Sequence, residues 1–304
     1  MCKQLILAGL LGFFSSLAAQ DNTLSTVLQD SYDLTFKLHV GEKDFYRMRT
    51  VYLDMNDSGR VAQTRVMEGC FGREIIEYQK GIWTGHYVWK YLKTGQIQGK
   101  GEVNEFRILP YTQNYEYSFC PDHWAPGHFP VDLAAIPKTM EGWTFVVNLI
   151  DTHTFDKIIE WKSYRDRLER IGQIMSLPTD SIAVNMDFPP LFTDTYFVNG
   201  LTYTSFQGLT WYQNEPCALL TFHSEDSYVR MVVNMMDMKL PTDGVSYYWG
   251  DIILSLRTGK ILRGRIFERV DSLTTLVQLG KPMRQVTRRE ITLERISKEK
   301  FDQF

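Results

Sequence analysis

Cysteine is scarce in this 304-residue chain: Cys2, Cys70, Cys120 and Cys217 are the four present. That is too few for a small disulfide-dense scaffold, and their spacing matches no closed zinc motif. A dominant charge is also missing. With 33 Lys and Arg against 36 Asp and Glu, the net charge of −3 gives no bulk attraction to polyanions, so nucleic acid is not an expected partner. Past the first twenty residues no apolar run approaches the roughly 20 residues of a spanning helix, so no transmembrane segment is expected in the mature chain. Catalytic signatures are missing too: there is no Gly-x-Ser-x-Gly elbow, no His-Glu-x-x-His helix, no Ser-x-x-Lys and no Gly-rich phosphate loop. The sequence names no reaction, and it leans away from an enzyme.

What is present begins with an export pattern. Lys3, the apolar stretch Leu5 to Phe14 and the small residues Ser15, Ser16, Ala18 and Ala19 form a secretory signal with cleavage after Ala18 or Ala19. The expected location is secreted or periplasmic. Cys2 would leave with the signal, and in an oxidising compartment Cys70 and Cys120 become the candidates for one bridge, with Cys217 a buried free thiol. Hydrophobic residues at 44% and charged residues at 23% are ordinary for a globular protein, but 18 Phe, 7 Trp and 16 Tyr raise aromatics to 13%.

Period-two alternation dominates the chain. Leu34, Phe36, Leu38 and Val40 alternate with polar residues, and further strands are predicted at Phe45 to Met55, Arg60 to Met67, Glu74 to Gln79, Trp83 to Leu92, Gln96 to Val103 and Tyr115 to Phe119. The C-terminal half repeats this texture from Thr202 to Ile296. Asn56-Asp57-Ser58-Gly59 is a turn and, formally, a glycosylation acceptor. One stretch differs: Ile158, Trp161, Tyr164, Leu168, Ile171 and Met175 advance by three or four, which predicts an amphipathic helix from Asp156 to Met175 opened by Thr154 and closed before Pro178. The expected fold is therefore mainly β, a β-rich α+β protein whose antiparallel sheets curl into a partial barrel or sandwich. Its expected parts are a signal peptide over 1–19, a first β-unit over 20–150, a helical connector over 151–178 and a second β-unit over 179–304. A faint echo between Leu92-Lys93-Thr94-Gly95-Gln96-Ile97 and Leu256-Arg257-Thr258-Gly259-Lys260-Ile261 suggests an internal duplication built on Thr-Gly turns.

Three places concentrate chemistry. Between Cys120 and Asp132 a proline-rich loop carries His123 and His128, candidate zinc ligands together with Cys120 and with Asp122 or Asp132. Asp151 and His153 have the residue types of an orienting carboxylate and a general base, but Asp and Thr ahead of a helix also serve as caps. Trp83, Tyr87, Trp89 and Tyr91 alternate along one predicted strand and so share a face, as Tyr203, Phe206 and Trp211 do only approximately. Four rings on one face suit a hydrophobic ligand cavity or a stacking platform. Residues 251–304 hold twelve Lys and Arg against seven Asp and Glu; there Arg263, Arg265 and Arg269 fall opposite Leu262, Ile266 and Val270, as on a solvated outer face.

These readings order the function classes. First comes a non-catalytic binding protein for a small hydrophobic or amphipathic ligand, with no cofactor. Second is an exported metal-dependent or acid–base enzyme using the Cys120 to Asp132 loop, and third a structural or interaction protein at the cell surface.

Overall fold

The computed structural model describes residues 30–304 except 36, 57, 81, 98–102, 104, 122–130, 161–167, 178–183, 236–237 and 277–280. The expected signal segment therefore lies outside the described residues, as do His123, His128 and Pro178. Alternation of buried and exposed side chains builds the strands in chain order. They are β1 (Lys43–Met55), β2 (Val61–Gln79), β3 (Ile82–Ile97), β4 (Arg107–Ile108), β5 (Tyr115–Phe119), β6 (Ile174–Leu177), β7 (Val184–Asn185), β8 (Phe192–Val198), β9 (Leu201–Tyr212), β10 (Glu215–Met235), β11 (Met238–Ser255), β12 (Ile261–Leu276) and β13 (Lys281–Ile296). Among the described residues two α-helices accompany them, α1 (Met140–Glu160) and α2 (Lys298–Gln303).

All thirteen strands belong to one sheet, ordered β4-β3-β2-β1-β13-β12-β11-β10-β8-β7, with β5 added on β3, β9 on β10 and β6 on β9. Every pairing is antiparallel. The mainly β, antiparallel, partly curled fold read from the sequence is what forms. β1 pairs with β13 from Phe45↔Ile296 to Met55↔Val286, so the first and last strands lie side by side in mid-sheet.

Several predicted strand breaks are absorbed as bulges. Arg60 to Met67 and Glu74 to Gln79 are one strand, β2, and Glu215 to Met235 runs as one strand, β10. The turn-like run Ser224-Glu225-Asp226-Ser227 is taken up by a register shift against β11, with Asp226 at positive φ. Thr94-Gly95 likewise lies inside β3, paired with Met67 and Val66. Only the second Thr-Gly of the echo is a turn, with Gly259 at φ 67°. The expected strand Leu34 to Val40 forms no ladder either. Its described residues make an extended arm across one end of the sheet, with Tyr32 packed edge-on against Phe206, Lys37 N–H donating to the Thr258 carbonyl, and Leu38 seated with Ile75 and Trp83.

The helix is also displaced from its predicted place. It spans Met140–Glu160, and Ile174–Leu177 at the end of the predicted helix is strand β6. The reason is compositional. Trp143, Phe145, Val146, Val147, Leu149, Ile150 and Phe155 place apolar, aromatic and β-branched side chains around much of α1, and its polar side chains are buried too, so it has no polar outer face for a 3.6-residue period to reveal. Such a helix must be enclosed. Phe145 meets Trp89 of β3, Asn148 bonds Thr50 of β1, and Trp143 meets Phe192 of β8. Gly264 of β12 leaves a notch for the Phe155 ring, which an added Cβ would approach to 2.4 Å. One helix touches strands this far apart in the order only because the sheet curls around it. Among the described residues no helix is long and apolar enough to cross a membrane.

The C-terminal helix α2 straps the outer side of β1–β3. Ser297 caps it, Phe301 packs on Phe45 at 4.7 Å, Phe304 meets Tyr91 edge-on at 5.9 Å, and the Lys90 ammonium donates to the Phe301 and Asp302 carbonyls. Deleting residues 298–304 is expected to lower stability by about 2 kcal/mol, the scale of uncovering one large buried side chain. It should also speed labelling of the otherwise buried Cys70 by a thiol reagent; equal labelling rates would show that the strap protects nothing.

Candidate functional site

The interior face of α1 carries Asn148, Asp151, Thr152, His153 and Asp156, all buried. Two charge networks meet it. In the first, Arg73 of β2 bridges Asp156 at 3.3 Å and Asp44 of β1 at 3.4 Å, while Asp44 also receives Lys260 at 3.0 Å and Arg295 at 2.8 Å. Burial alone would raise both carboxyls, but the surrounding Arg and Lys outweigh it at Asp44, and His153, Arg73 and Tyr87 do so at Asp156, so both are held below the usual carboxylate range. Tyr87 donates to Asp156 at 2.7 Å.

His153 Nδ1 lies 2.9 Å from Asp156 Oδ2, and its Nε2 lies 2.8 Å from the Tyr117 hydroxyl. An ionised carboxylate only accepts, so Nδ1 carries the proton and Nε2 accepts from Tyr117. Burial lowers the His153 pKa and raises that of Tyr117 well above its usual value, which keeps both groups neutral. Phe119 stacks on the imidazole with ring centroids 3.6 Å apart. This pair has the form of a base and its orienting acid, yet both ring nitrogens are committed inside the protein. Through Tyr117 and Phe119, His153 ties α1 to β5.

The second network joins α1 to β13 and β12. Asp151 accepts from Arg289 at 3.0 Å, Arg289 also pairs with Glu268, and Ser246 donates to Glu268 at 2.6 Å. One arginine serves two acids. Burial and the Glu268 charge outweigh Arg289 at Asp151, whose pKa is raised from 3.8 to about 6.

Asp151 and His153, with the residue types of an orienting carboxylate and a general base, and Asp151 also suited to a cap, thus stand buried inside the second half of α1. Thr154 is mid-helix, bonding back to the Ile150 carbonyl. The four aromatic candidates are all buried but do not form one lining. Tyr87 and Trp89 pack in the main core, Trp83 sits in a separate cluster with Leu38 and Ile75, and a register shift between Cys70 and Phe71 places Tyr91 beside Phe304 under the C-terminal strap.

Cys70, Cys120 and Cys217 are all free, so the expected Cys70 to Cys120 bridge does not form. Cys70 is on β2 opposite Tyr91, and Cys120 follows Phe119, which pairs with Gly85 at the other side of β3. Two strand spacings, roughly 10 Å, separate them before any offset along the strands, beyond the roughly 7 Å limit for bridged Cα atoms. Burial pushes the Cys70 thiol up to about 12. The candidate zinc ligands His123 and His128 lie outside the described residues, and among the described residues no group of three or more metal-binding side chains converges.

The outer face of β9–β12 carries what the sequence reading missed. Tyr203↔His223, His223↔Trp249 and Trp249↔Phe267 are directly opposed pairs, so four rings stand side by side across four strands. Tyr203 stacks on His223 at 5.1 Å, and Trp249 on Phe267 at 5.9 Å. Trp249 and its neighbour on the same face, Tyr247, are 49% and 42% exposed. The next row is polar: Ser205, Thr221, Asp251 and Arg265 are opposed in turn. Arg263, Arg265 and Arg269 do point outward there, with Ile266 buried behind them. Of the approximate trio in β9, Phe206 is buried in the core while Tyr203 lies on the outer face and Trp211 is exposed. The alternation Val245-Tyr247-Trp249 was visible in the sequence, but the lateral register that assembles the row was not.

These features define an antiparallel β-protein with a helix-filled interior and an aromatic outer row. No family model matches the chain, and no curated protein matches it. Among solved structures it is similar to OmpF of Salmonella typhi, solved with daunomycin, at 7% identity and a TM-score of 0.21, over 84% of this chain and 98% of that one. A DUF1329 family protein from Desulfovibrio piger is similar at 8% identity and a TM-score of 0.15, over 86% and 90% of the two chains. Similarity this low assigns neither fold nor function.

Proposed function

We propose that this chain is an exported, non-catalytic binding protein that holds an amphipathic ligand on the outer aromatic row of β9–β12. The observation that carries this reading is the half-exposed Trp249, held in line with Tyr203, His223 and Phe267 by cross-strand register. Large rings left at a surface favour a ligand with an apolar face, and a neighbouring row of hydroxyls and charges favours one with polar edges. The described interior packs α1 against the sheet in one aromatic-rich core, and both ring nitrogens of His153 are hydrogen-bonded within the protein. Both points favour an outer ligand surface over an inner cavity, and binding over catalysis.

Titration calorimetry with lauric acid, dodecyl maltoside below its micellar concentration and cellohexaose tests the reading. At least one probe is expected to bind, and Trp249→Ala should weaken that binding about tenfold or more, the scale of one lost stacking ring. Binding by none, or binding indifferent to Trp249, would overturn it.

A further inference from the structure

Resting on that outer-face reading, we infer that the ligand is an anionic amphiphile, its carboxylate or phosphate head held between Arg269 and Arg288 and its apolar body laid along Val245, Tyr247 and Trp249 of β11. The sequence places twelve Lys and Arg against seven Asp and Glu in residues 251–304, and cross-strand register gathers part of that excess. Arg288 of β13 stands directly opposite Arg269 of β12, which in turn stands opposite Tyr247 of β11. All three are exposed on the outer face. Like charges directly opposed across a sheet destabilise the pair unless something answers them.

The local acids do not answer both arginines. Asp271, on the same face two residues beyond Arg269, accepts from Arg269 at 3.3 Å, but it is also gripped by Nε of Arg284 at 2.8 Å and by Nη2 of the same guanidinium. One carboxylate is divided between two arginines, and Arg288 makes no ion pair among the described residues. Glu290 is next outward on β13, opposite Phe267 and Val51. It stands roughly 7 Å along the strand from Arg288. Asp243 is taken by Arg230. Three arginines therefore meet two acids on this part of the face, and the Arg288 guanidinium keeps its donors open to an oxyanion.

The neighbouring strand supplies the apolar part. Val245, Tyr247 and Trp249 alternate along β11 and are 39%, 42% and 49% exposed, a stripe of about 14 Å at the strand rise. That length suits a short alkyl chain. Tyr247, the middle residue, is the one aligned with the arginine pair, so an apolar body on the stripe and a charged head at its side are met together. A neutral head would leave Arg269 and Arg288 opposed, whereas an oxyanion between them replaces repulsion with charge-assisted hydrogen bonds.

The test uses the full-length protein in calorimetry against lauric acid, dodecyl maltoside below its micellar concentration, inorganic phosphate and phosphatidylglycerol vesicles. Lauric acid and the maltoside carry the same kind of tail and differ in the charge of the head. Lauric acid is expected to bind about tenfold more tightly, the scale of one charge-assisted hydrogen bond. Arg288→Gln should remove that advantage and leave maltoside binding unchanged, and Arg288→Lys should recover part of it. Because Arg288 is exposed, both variants should keep the wild-type melting temperature, which separates lost binding from lost fold. Equal affinity for the two amphiphiles, or lauric acid binding indifferent to Arg288, would overturn the anionic assignment; the outer-face reading would stand if binding still required Trp249. Arg288-dependent binding of phosphate or vesicles without lauric acid would also overturn it, in favour of a free anion or a membrane surface. If no probe bound, both readings would fall.

Discussion

Replacing Arg73 by methionine is expected to lower the unfolding free energy by about 3–5 kcal/mol, the cost of removing one partner from a buried ion pair. Methionine replaces the unbranched stem of the side chain and fills irregular space, so the loss reports the guanidinium more than the stem. Arg73 is buried between Asp44 and Asp156. Asp44 keeps Lys260 and Arg295 when Arg73 is gone, but Asp156 keeps only hydrogen bonds from His153 and Tyr87. The damage should therefore localise at α1. Urea denaturation measures the total, and amide exchange over residues 140–160 should quicken more than exchange in β10–β12. The double variant Arg73→Met with Asp156→Asn is expected to recover part of the loss, because it removes the stranded carboxylate. A loss below about 1 kcal/mol would mean that water reaches the pair and screens it as at a surface.

The strands were legible in the sequence because each sheet face has its own polarity. Ile266 turns inward while Arg265 and Phe267 face out, and such a two-residue period needs no knowledge of neighbours. Strand length was less legible. Ser224 to Ser227 and Thr94-Gly95 have turn composition, and only pairing with β11 and β2 keeps the chain extended through them. α1 was hidden by its own burial: its polar stripe of Asn148, Asp151, Thr152 and Asp156 faces the interior instead of solvent, and Asp151 and His153 read as a cap or as catalytic types until Arg73 and Arg289 arrive from distant strands. The outer row was hidden for a related reason. Tyr203, His223, Trp249 and Phe267 are spread over sixty-odd residues of sequence and meet only through lateral register, a property no single strand encodes. Trp83, Tyr87, Trp89 and Tyr91 did share a sequence period, yet one register shift sends Tyr91 to the strap side.

The second large effect is a pH dependence that Asp151→Asn should remove. The Asp151 carboxyl is raised from 3.8 to about 6 by burial, and Glu268 adds to the rise against the opposing pull of Arg289. A raised folded pKa means that the folded state binds the proton more tightly. Its contribution is then fully present below the unfolded value near 3.8 and is lost as pH rises through about 6. Two pK units correspond to about 3 kcal/mol. His153 acts in the opposite sense: burial lowers its pKa, so stability falls as pH drops below the ordinary histidine value of 6.5. The two slopes partly cancel in the wild type, and the difference between wild type and Asp151→Asn isolates the aspartate. The asparagine keeps an oxygen for Arg289 and carries no charge at any pH. Relative to wild type, the variant is expected to gain up to about 3 kcal/mol between pH 4 and pH 8, with most of the change between pH 4 and 6.5. A difference that stays flat over this range in urea titrations would place Asp151 among ordinary ionised carboxylates. In that case Arg289 would hold two full negative charges between α1 and the sheet, and its network would be as strongly ionic as that of Arg73.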